Sequence, residues 1–160
     1  MSVLQHPFGP LYCEKSRVLI LGSFPSVKSR EQNFFYGHPQ NRFWKVVARV
    51  FDRDVPETIE EKKSLILESG LALWDSIASC EITGSSDASI RNVKTNDISI
   101  ILDSCDIGRI YCNGRKSYDL YCRYIQPETG REATCLPSTS PANAAWTLDR
   151  LTEAWRVVKL

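Results

Sequence analysis

Four apolar runs in this chain each end in a short polar or glycine-containing turn. Val18–Leu21 runs into Gly22-Ser23-Phe24-Pro25, and Leu71–Trp74 into Asp75-Ser76. Arg109–Cys112 runs into Asn113-Gly114, and Ala133–Leu136 into Pro137-Ser138-Thr139-Ser140-Pro141. A further stretch, Phe34-Phe35-Tyr36-Gly37-His38-Pro39-Gln40-Asn41, joins an aromatic cluster to an amide. Rings, one carboxylate, amides and hydroxyls are the means of holding a flat heteroaromatic ligand. A ring stacks on its face and directional hydrogen bonds read its edge, as when a base is turned out of a nucleic-acid stack.

These residues can meet only if the elements that carry them are parallel. Arg17–Ser23, Leu71–Trp74, Arg109–Cys112 and Ala133–Leu136 read as four buried strands. Phe43, Val46, Val47 and Val50 recur at helical spacing, so a helix over Arg42–Phe51 starts at an Asn41 cap. A second helix covers Pro56–Ser69, with Thr58 and Glu61 as a capping box and Gly70 as its stop. A third, capped at Asn96-Asp97, presents Ile98, Ile101, Leu102 and Cys105, and a fourth covers Arg115–Tyr124 before a turn at Pro127–Arg131. The last opens with Ser140 as cap and Pro141 in its first turn, and buries Leu148, Leu151, Trp155 and Val158. Residues Met1–Ser16 read as an outer arm anchored by Phe8, Leu11 and Tyr12, and Glu81–Thr95 as a long polar loop. Alternation of this kind predicts a three-layer α/β sandwich, a four-stranded, mostly parallel sheet flanked by helices. The strand-end turns then share one sheet edge, where open α/β sheets bind their ligands.

At 160 residues the chain is expected to form one domain, 1–160, with a substantial core. The formal net charge of +1 announces no global field for nucleic acid, so such a partner would need a local basic face. No signal peptide is visible, and no apolar segment approaches the roughly 20 residues of a membrane span. The six cysteines are scattered without a Cys-x-x-Cys pair and read as reduced core thiols. No metal or cofactor is implied.

The motifs also resemble a known family. Val18-Leu19-Ile20-Leu21-Gly22-Ser23-Phe24-Pro25, followed by Tyr36-Gly37-His38-Pro39-Gln40-Asn41-Arg42-Phe43-Trp44-Lys45, resembles the first motif of the uracil-DNA glycosylase superfamily. It is similar to the branch with the mismatch-specific uracil/thymine glycosylases. Leu136-Pro137-Ser138-Thr139-Ser140-Pro141-Ala142-Asn143 resembles the second motif. With Leu73-Trp74-Asp75 to Cys80, that form is most similar to the hypoxanthine-DNA glycosylase branch. Two positions depart from the wider family. Phe24 stands where many members carry a catalytic Asp or Asn, and Leu136 where many carry His or Asn. The resemblance therefore implies Asn41 as the catalytic side chain, on the water or sugar side, and Asp75 as the base-reading group.

Each assignment stands beside a plainer one. Asn41 also suits a helix cap, Tyr36 a core aromatic, and Asp75 the cap of a short turn. As site residues, Tyr36 would stack on the base, Phe24 would form a pocket wall and the Ser23 turn would serve a base carbonyl. An ionised carboxylate accepts only, which suits the ring N–H of hypoxanthine or uracil and rejects adenine. His38 reads as a general acid, a DNA contact or an ordinary loop histidine. Ser138, Thr139 and Ser140 are expected at DNA phosphate, and Arg91, Lys94, Arg115 and Lys116 as a local basic face. Together these readings predict a monofunctional glycosylase for deaminated bases, without lyase activity; the resemblance implies hypoxanthine as its preferred base, with uracil or xanthine after it. Its substrate would be double-stranded DNA holding a deaminated base. The chain is expected to be monomeric, away from membranes, and cytoplasmic at the nucleoid in a prokaryote. Two rivals are a small-molecule nucleoside or nucleotide hydrolase and an inactive DNA-binding member of the superfamily.

Overall fold

The computed structural model of the protein describes residues 3–159, apart from the side chain at position 87. Every residue of β2 (Val18–Gly22) and β3 (Leu71–Asp75) is buried, which is why both read as unbroken apolar runs. A strand covered on both faces has no solvent side to alternate with. With β6 (Arg109–Asn113) and β7 (Thr134–Leu136) they form a parallel sheet in the order β3-β2-β6-β7. Register puts Gly22 beside Asp75, and Asn113 beside Leu136. The predicted four-stranded sheet is present, and its parallel strands end together at one edge.

Helices cover the sheet. α2 (Phe43–Val50) packs on α7 (Leu148–Trp155), with Phe43 edge-on to Trp155 at 5.8 Å between ring centroids. α3 (Ile59–Glu68) packs near β3, and Thr58 caps it by accepting from Glu61 N at 3.1 Å, as the capping box predicts. α5 (Arg115–Leu120) is pinned beneath the site edge by Ser117 Oγ, which donates to Leu21 O at 2.7 Å. It continues through a π-helical turn, Tyr121–Ile125, into the short α6 (Gln126–Thr129). The third predicted helix shrinks to α4 (Ser99–Leu102); Ile98 rather than Asn96-Asp97 stands at its N-cap, while Asp97 accepts from Ser99 N at 3.1 Å.

Three expectations change. First, the polar stretch Glu81–Thr95 is not all loop: it begins at the end of one strand and closes with another, leaving residues 82–90 between them. β3 runs through Ser76 into β4 (Ile77–Glu81), which pairs antiparallel with β5 (Arg91–Thr95). β5 escaped notice because an edge strand carries charges that blunt further pairing, and only Val93 and Thr95 of its residues are even half-buried. Second, the arm supplies β1 (Val3–Gln5), the other edge of this small sheet. Its anchors behave as expected: Phe8, Leu11 and Tyr12 pack against the main core. Met1 and Ser2 of the arm lie outside the described residues. Third, Ser140-Pro141 does not open the last helix. α7 starts at Leu148, and Thr147 caps it by accepting from Arg150 N at 3.2 Å. The segment before it is held open by Arg42, whose guanidinium donates to the carbonyls of Ser140 (2.9 Å), Asn143 (3.1 Å) and Trp146. Carbonyls engaged by a guanidinium are not available to a helix ladder.

A short helix in the first loop was also not expected. α1 (Val27–Gln32) is capped by Ser26, which accepts from Ser29 N at 3.2 Å, and closed by Asn33 in the left-handed region.

Candidate active site

The sheet edge carries a cleft of about 290 Å³, near the lower limit for small-ligand pockets. Ser23, Phe24, Tyr36, His38, Asn41 and Asp75 line it, as do Ser138, Thr139 and Ser140. Nine of the predicted site residues therefore meet, drawn from four separate parts of the chain.

The wall at Gly22 is built by close approach. A Cβ on Gly22 would lie 2.4 Å from Asp75 Oδ1 and 3.3 Å from the Tyr36 hydroxyl. Only glycine lets β2 pass this near the carboxylate on the neighbouring strand. The second Asp75 oxygen, Oδ2, sits 2.7 Å from His6 Nε2, and the two side chains are 6% and 4% exposed. Asn96 holds the same turn by donating to the carbonyls of Asp75 (2.9 Å) and Ile77 (3.2 Å).

Asn41 lines the pocket, but the expected helix cap is displaced by one residue: Arg42 stands at the N-cap of α2. Asn41 Oδ1 accepts from Phe43 N at the start of α2 (2.9 Å) and from Thr139 Oγ1 (2.9 Å). A backbone N–H can only donate, so the oxygen is the atom facing Phe43 and the amide orientation follows. With Oδ1 engaged twice, Asn41 offers the cleft its NH2 group, a donor. Thr139 is fully buried. Asn113 Nδ2 donates to its hydroxyl (3.0 Å), and its own N–H donates to Asn113 Oδ1 (3.1 Å). The expected phosphate contact at Thr139 is thus corrected: its hydroxyl is spent inside the protein, positioning Asn41.

Tyr36 adopts φ +51°, and its ring stacks on Phe43 with centroids 4.0 Å apart. One ring face is therefore already covered. The hydroxyl is buried and has no hydrogen bond of ordinary geometry among the described residues. Burial first, and then the negative charge of Asp75, push its pKa well above the usual tyrosine value, offset in part by the Asn113 amide. The group stays protonated. Phe24 is a wall residue 8% exposed, with the Arg30 guanidinium 5.6 Å from its ring centroid. Ser138 Oγ accepts from Ser140 N (3.1 Å) and Ser140 Oγ from Ala142 N (3.1 Å), so these two form the turn rather than a helix start. His38 Nδ1 accepts from Gln40 N at 3.1 Å.

The predicted basic residues do not line the cleft. Arg91 and Lys116 flank a separate groove that also holds Arg123. Arg115 is exposed and pairs with Asp119 at 3.0 Å, one helical turn on. Lys94 lies exposed on β5. Both β5 and the exposed face of α5 turn these cations away from the cleft.

Sequence reasoning missed His6, Asn113 and Arg42 as site-building residues. Asn113 had a signal, since it ends a predicted strand at the functional edge. His6 sits in an aperiodic arm and reaches Asp75 across 69 positions, which no local pattern reports. Among the described residues, no three His, Cys, Asp or Glu side chains cluster as a metal site.

This geometry can be compared with known proteins. A hypoxanthine DNA glycosylase of Methanosarcina acetivorans is 32% identical over 160 residues, spanning 98% of both chains. A hypoxanthine DNA glycosylase of Methanosarcina barkeri is 29% identical over 140 residues, spanning 85% of this chain and 86% of the relative. A solution NMR structure from M. acetivorans, described as a candidate uracil DNA glycosylase, superimposes with a TM-score of 0.81 at 27% identity, covering 99% of this chain and all of the other. Residues 10–159 match the family model of the uracil DNA glycosylase superfamily. That span takes in Gly22, Asn41, Asp75 and the Pro137–Pro141 turn, and by it the chain belongs to the uracil DNA glycosylase superfamily.

Proposed function

We propose that the chain hydrolyses the N-glycosidic bond of deaminated bases in double-stranded DNA, hypoxanthine first, with uracil and xanthine as further substrates. It acts as one domain, as a monomer, and without lyase activity. The observation that carries this reading is one cleft holding a buried carboxylate that accepts and an amide that is oriented to donate.

Extruding the damaged nucleotide costs a few kcal/mol, least for a poorly paired base. In the cleft, Asp75 accepts from the ring N–H of a hypoxanthine or uracil edge, and the backbone near Ser23 serves the adjoining carbonyl. Adenine has no ring N–H and leaves the carboxylate unmatched. As the glycosidic bond breaks, the sugar turns oxocarbenium-like and negative charge collects on the base. The Asn41 NH2 donates to that charge, a bond strongest in the transition state and already aimed before it. This replaces the expected water-side role of Asn41, because its oxygen is occupied by Phe43 and Thr139. Tyr36 and Phe24 wall the base, while Ser138, Ser140 and His38 at the rim contact the DNA.

The test is excision from duplexes carrying one inosine, uracil, xanthine or adenine. Abasic product from inosine, with adenine spared, is expected. No abasic product from any duplex would end the enzyme reading.

A further inference from the structure

β1 takes no part in the parallel sheet, yet it delivers a side chain to the Asp75 carboxylate. β1 is fixed on β4 by the pairing of Gln5 with Ser79, and His6 N donates to Ala78 O at 2.7 Å just beyond it. The imidazole then turns inward among three rings. It is edge-on to Phe8 and Phe24, with centroids 4.5 and 5.9 Å away, and tilted against Phe35 at 6.5 Å. Phe8 N donates to Nδ1 at 3.4 Å, so Nδ1 is the acceptor and Nε2 carries the proton that goes to Asp75 Oδ2. His6 thus claims one oxygen of the carboxylate and leaves Oδ1 in the wall beside Gly22.

We propose that His6 is a positioning residue for base discrimination, holding Asp75 as an ionised acceptor with Oδ1 free for the ring N–H of a lactam base. This rests on the reading of Asp75 as the group that meets that N–H. A carboxylate this buried is costly to keep charged without a partner. A protonated carboxyl donates as well as accepts. A donor at this point opposes the ring N–H of hypoxanthine and matches the bare ring nitrogen of adenine. Without His6, selectivity should drift toward the undamaged base.

Among the described residues, the other titratable groups at this end of the cleft do not take over the task. Tyr36 of the loop before α2 feels the charge of Asp75, and Cys112 of β6 lies near Tyr36. Burial raises both, the thiol to about 12, so both stay protonated and uncharged at neutral pH. His38 lines the same cleft from that loop, and Arg30 of α1 is directed over Phe24.

The experiment compares wild type, His6→Phe, which keeps a ring without a donor, and His6→Gln, which keeps a donor. Single-turnover excision of inosine and of adenine is followed against pH, with melting temperature recorded. His6→Phe is expected to slow inosine excision roughly 10- to 100-fold at neutral pH, the size of one charge-assisted hydrogen bond. The loss should depend on pH, and the inosine-to-adenine ratio should fall. His6→Gln should recover most of the rate. A His6→Phe enzyme with the wild-type rate and pH profile overturns the proposal. So does a loss that is equal at every pH and unrescued by Gln, which marks a structural role. If His6→Phe does not fold, 15N NMR of the wild-type imidazole decides: a proton on Nε2 supports the proposal, and one on Nδ1 alone overturns it. Failure of the underlying reading is separate, because it shows as full inosine excision by Asp75→Asn.

Discussion

Thr139 Oγ1 donates to Asn41 Oδ1 at 2.9 Å, across 98 positions of sequence. That bond ties the loop before α2 to the turn after β7, and Arg42 N adds a second tie by donating to Thr139 O at 3.1 Å. The residue proposed to act on the leaving base is therefore aimed by the other motif of the cleft.

Replacing Asn41 can separate its chemistry from the hydrogen bonds that its oxygen accepts. Asn41→Asp keeps an oxygen for Phe43 N and Thr139 but loses the NH2 donor and sets a negative charge near the departing anion. It should keep its melting temperature and lose inosine excision by about three orders of magnitude, the scale seen when one preorganised donor is removed. Asn41→Ala should lose as much activity and also about 1 kcal/mol of stability, for the hydrogen bonds its oxygen accepts from Phe43 and Thr139. Thermal melts beside single-turnover rates check both.

Thr139→Val keeps the shape and strips the hydroxyl. Asn113 Nδ2 then loses its acceptor and Asn41 Oδ1 one of its two donors. A cost of about 1–3 kcal/mol is expected for the groups left unpaired, with a drop in turnover that exceeds any change in DNA affinity. Denaturant titration and binding at fixed salt measure the two sides.

Gly22→Ala should injure the site more than the fold. Its Cβ would stand 2.4 Å from Asp75 Oδ1, so β2 and β3 must part or the carboxylate must turn. Overpacking of this kind costs roughly 1–3 kcal/mol. Inosine excision should fall at least tenfold while the folded protein persists, which circular dichroism and the duplex assay would establish.

Tyr36→Phe removes a buried hydroxyl that has no hydrogen bond of ordinary geometry among the described residues, only the influence of the Asn113 amide. Because no well-formed hydrogen bond is lost, stability should stay within about 1 kcal/mol or rise slightly. A clear fall in the denaturation midpoint would show that the hydroxyl is satisfied in solution.

Cys112 supplies a pH signature. Burial raises its thiol from 9.0 to about 12 in the folded protein. Below pH 9 both folded and unfolded thiols are protonated and the difference contributes nothing. Between pH 9 and about 12 the unfolded thiol ionises first, so stability falls as pH rises, by about 1.4 kcal/mol per unit from this group at most. Cys112→Ala, although less stable at neutral pH, should show a shallower alkaline decline in urea titrations.

Much of the architecture was legible because it is written locally. Val18–Leu21 and Leu71–Trp74 are apolar without alternation, as strands covered on both faces must be. Their polar ends were readable as one edge because parallel strands end together. Gly22, Asn41, Asp75 and the Pro137–Pro141 turn could be named from those ends and from the resemblance they carry. α2 was readable from its 3.6-residue spacing, and Thr58 from the capping pattern at α3.

The remainder is decided by pairs with no local trace. β5 is an edge strand whose charges mimic a loop, and only its pairing with β4 makes it sheet. The Ser140–Trp146 segment has the composition of a helix start, but the Arg42 guanidinium takes its carbonyls and keeps it irregular. Thr139 looked like a phosphate ligand until burial turned its hydroxyl inward. His6 is the clearest case, since a histidine in an aperiodic arm shows nothing of a carboxylate 69 positions away. Sequence determines which segments must be buried and where strands must end, because hydrophobic period and turn chemistry act over a few residues. Tertiary structure alone decides which polar groups meet inside the core, because a buried donor and acceptor select each other through space.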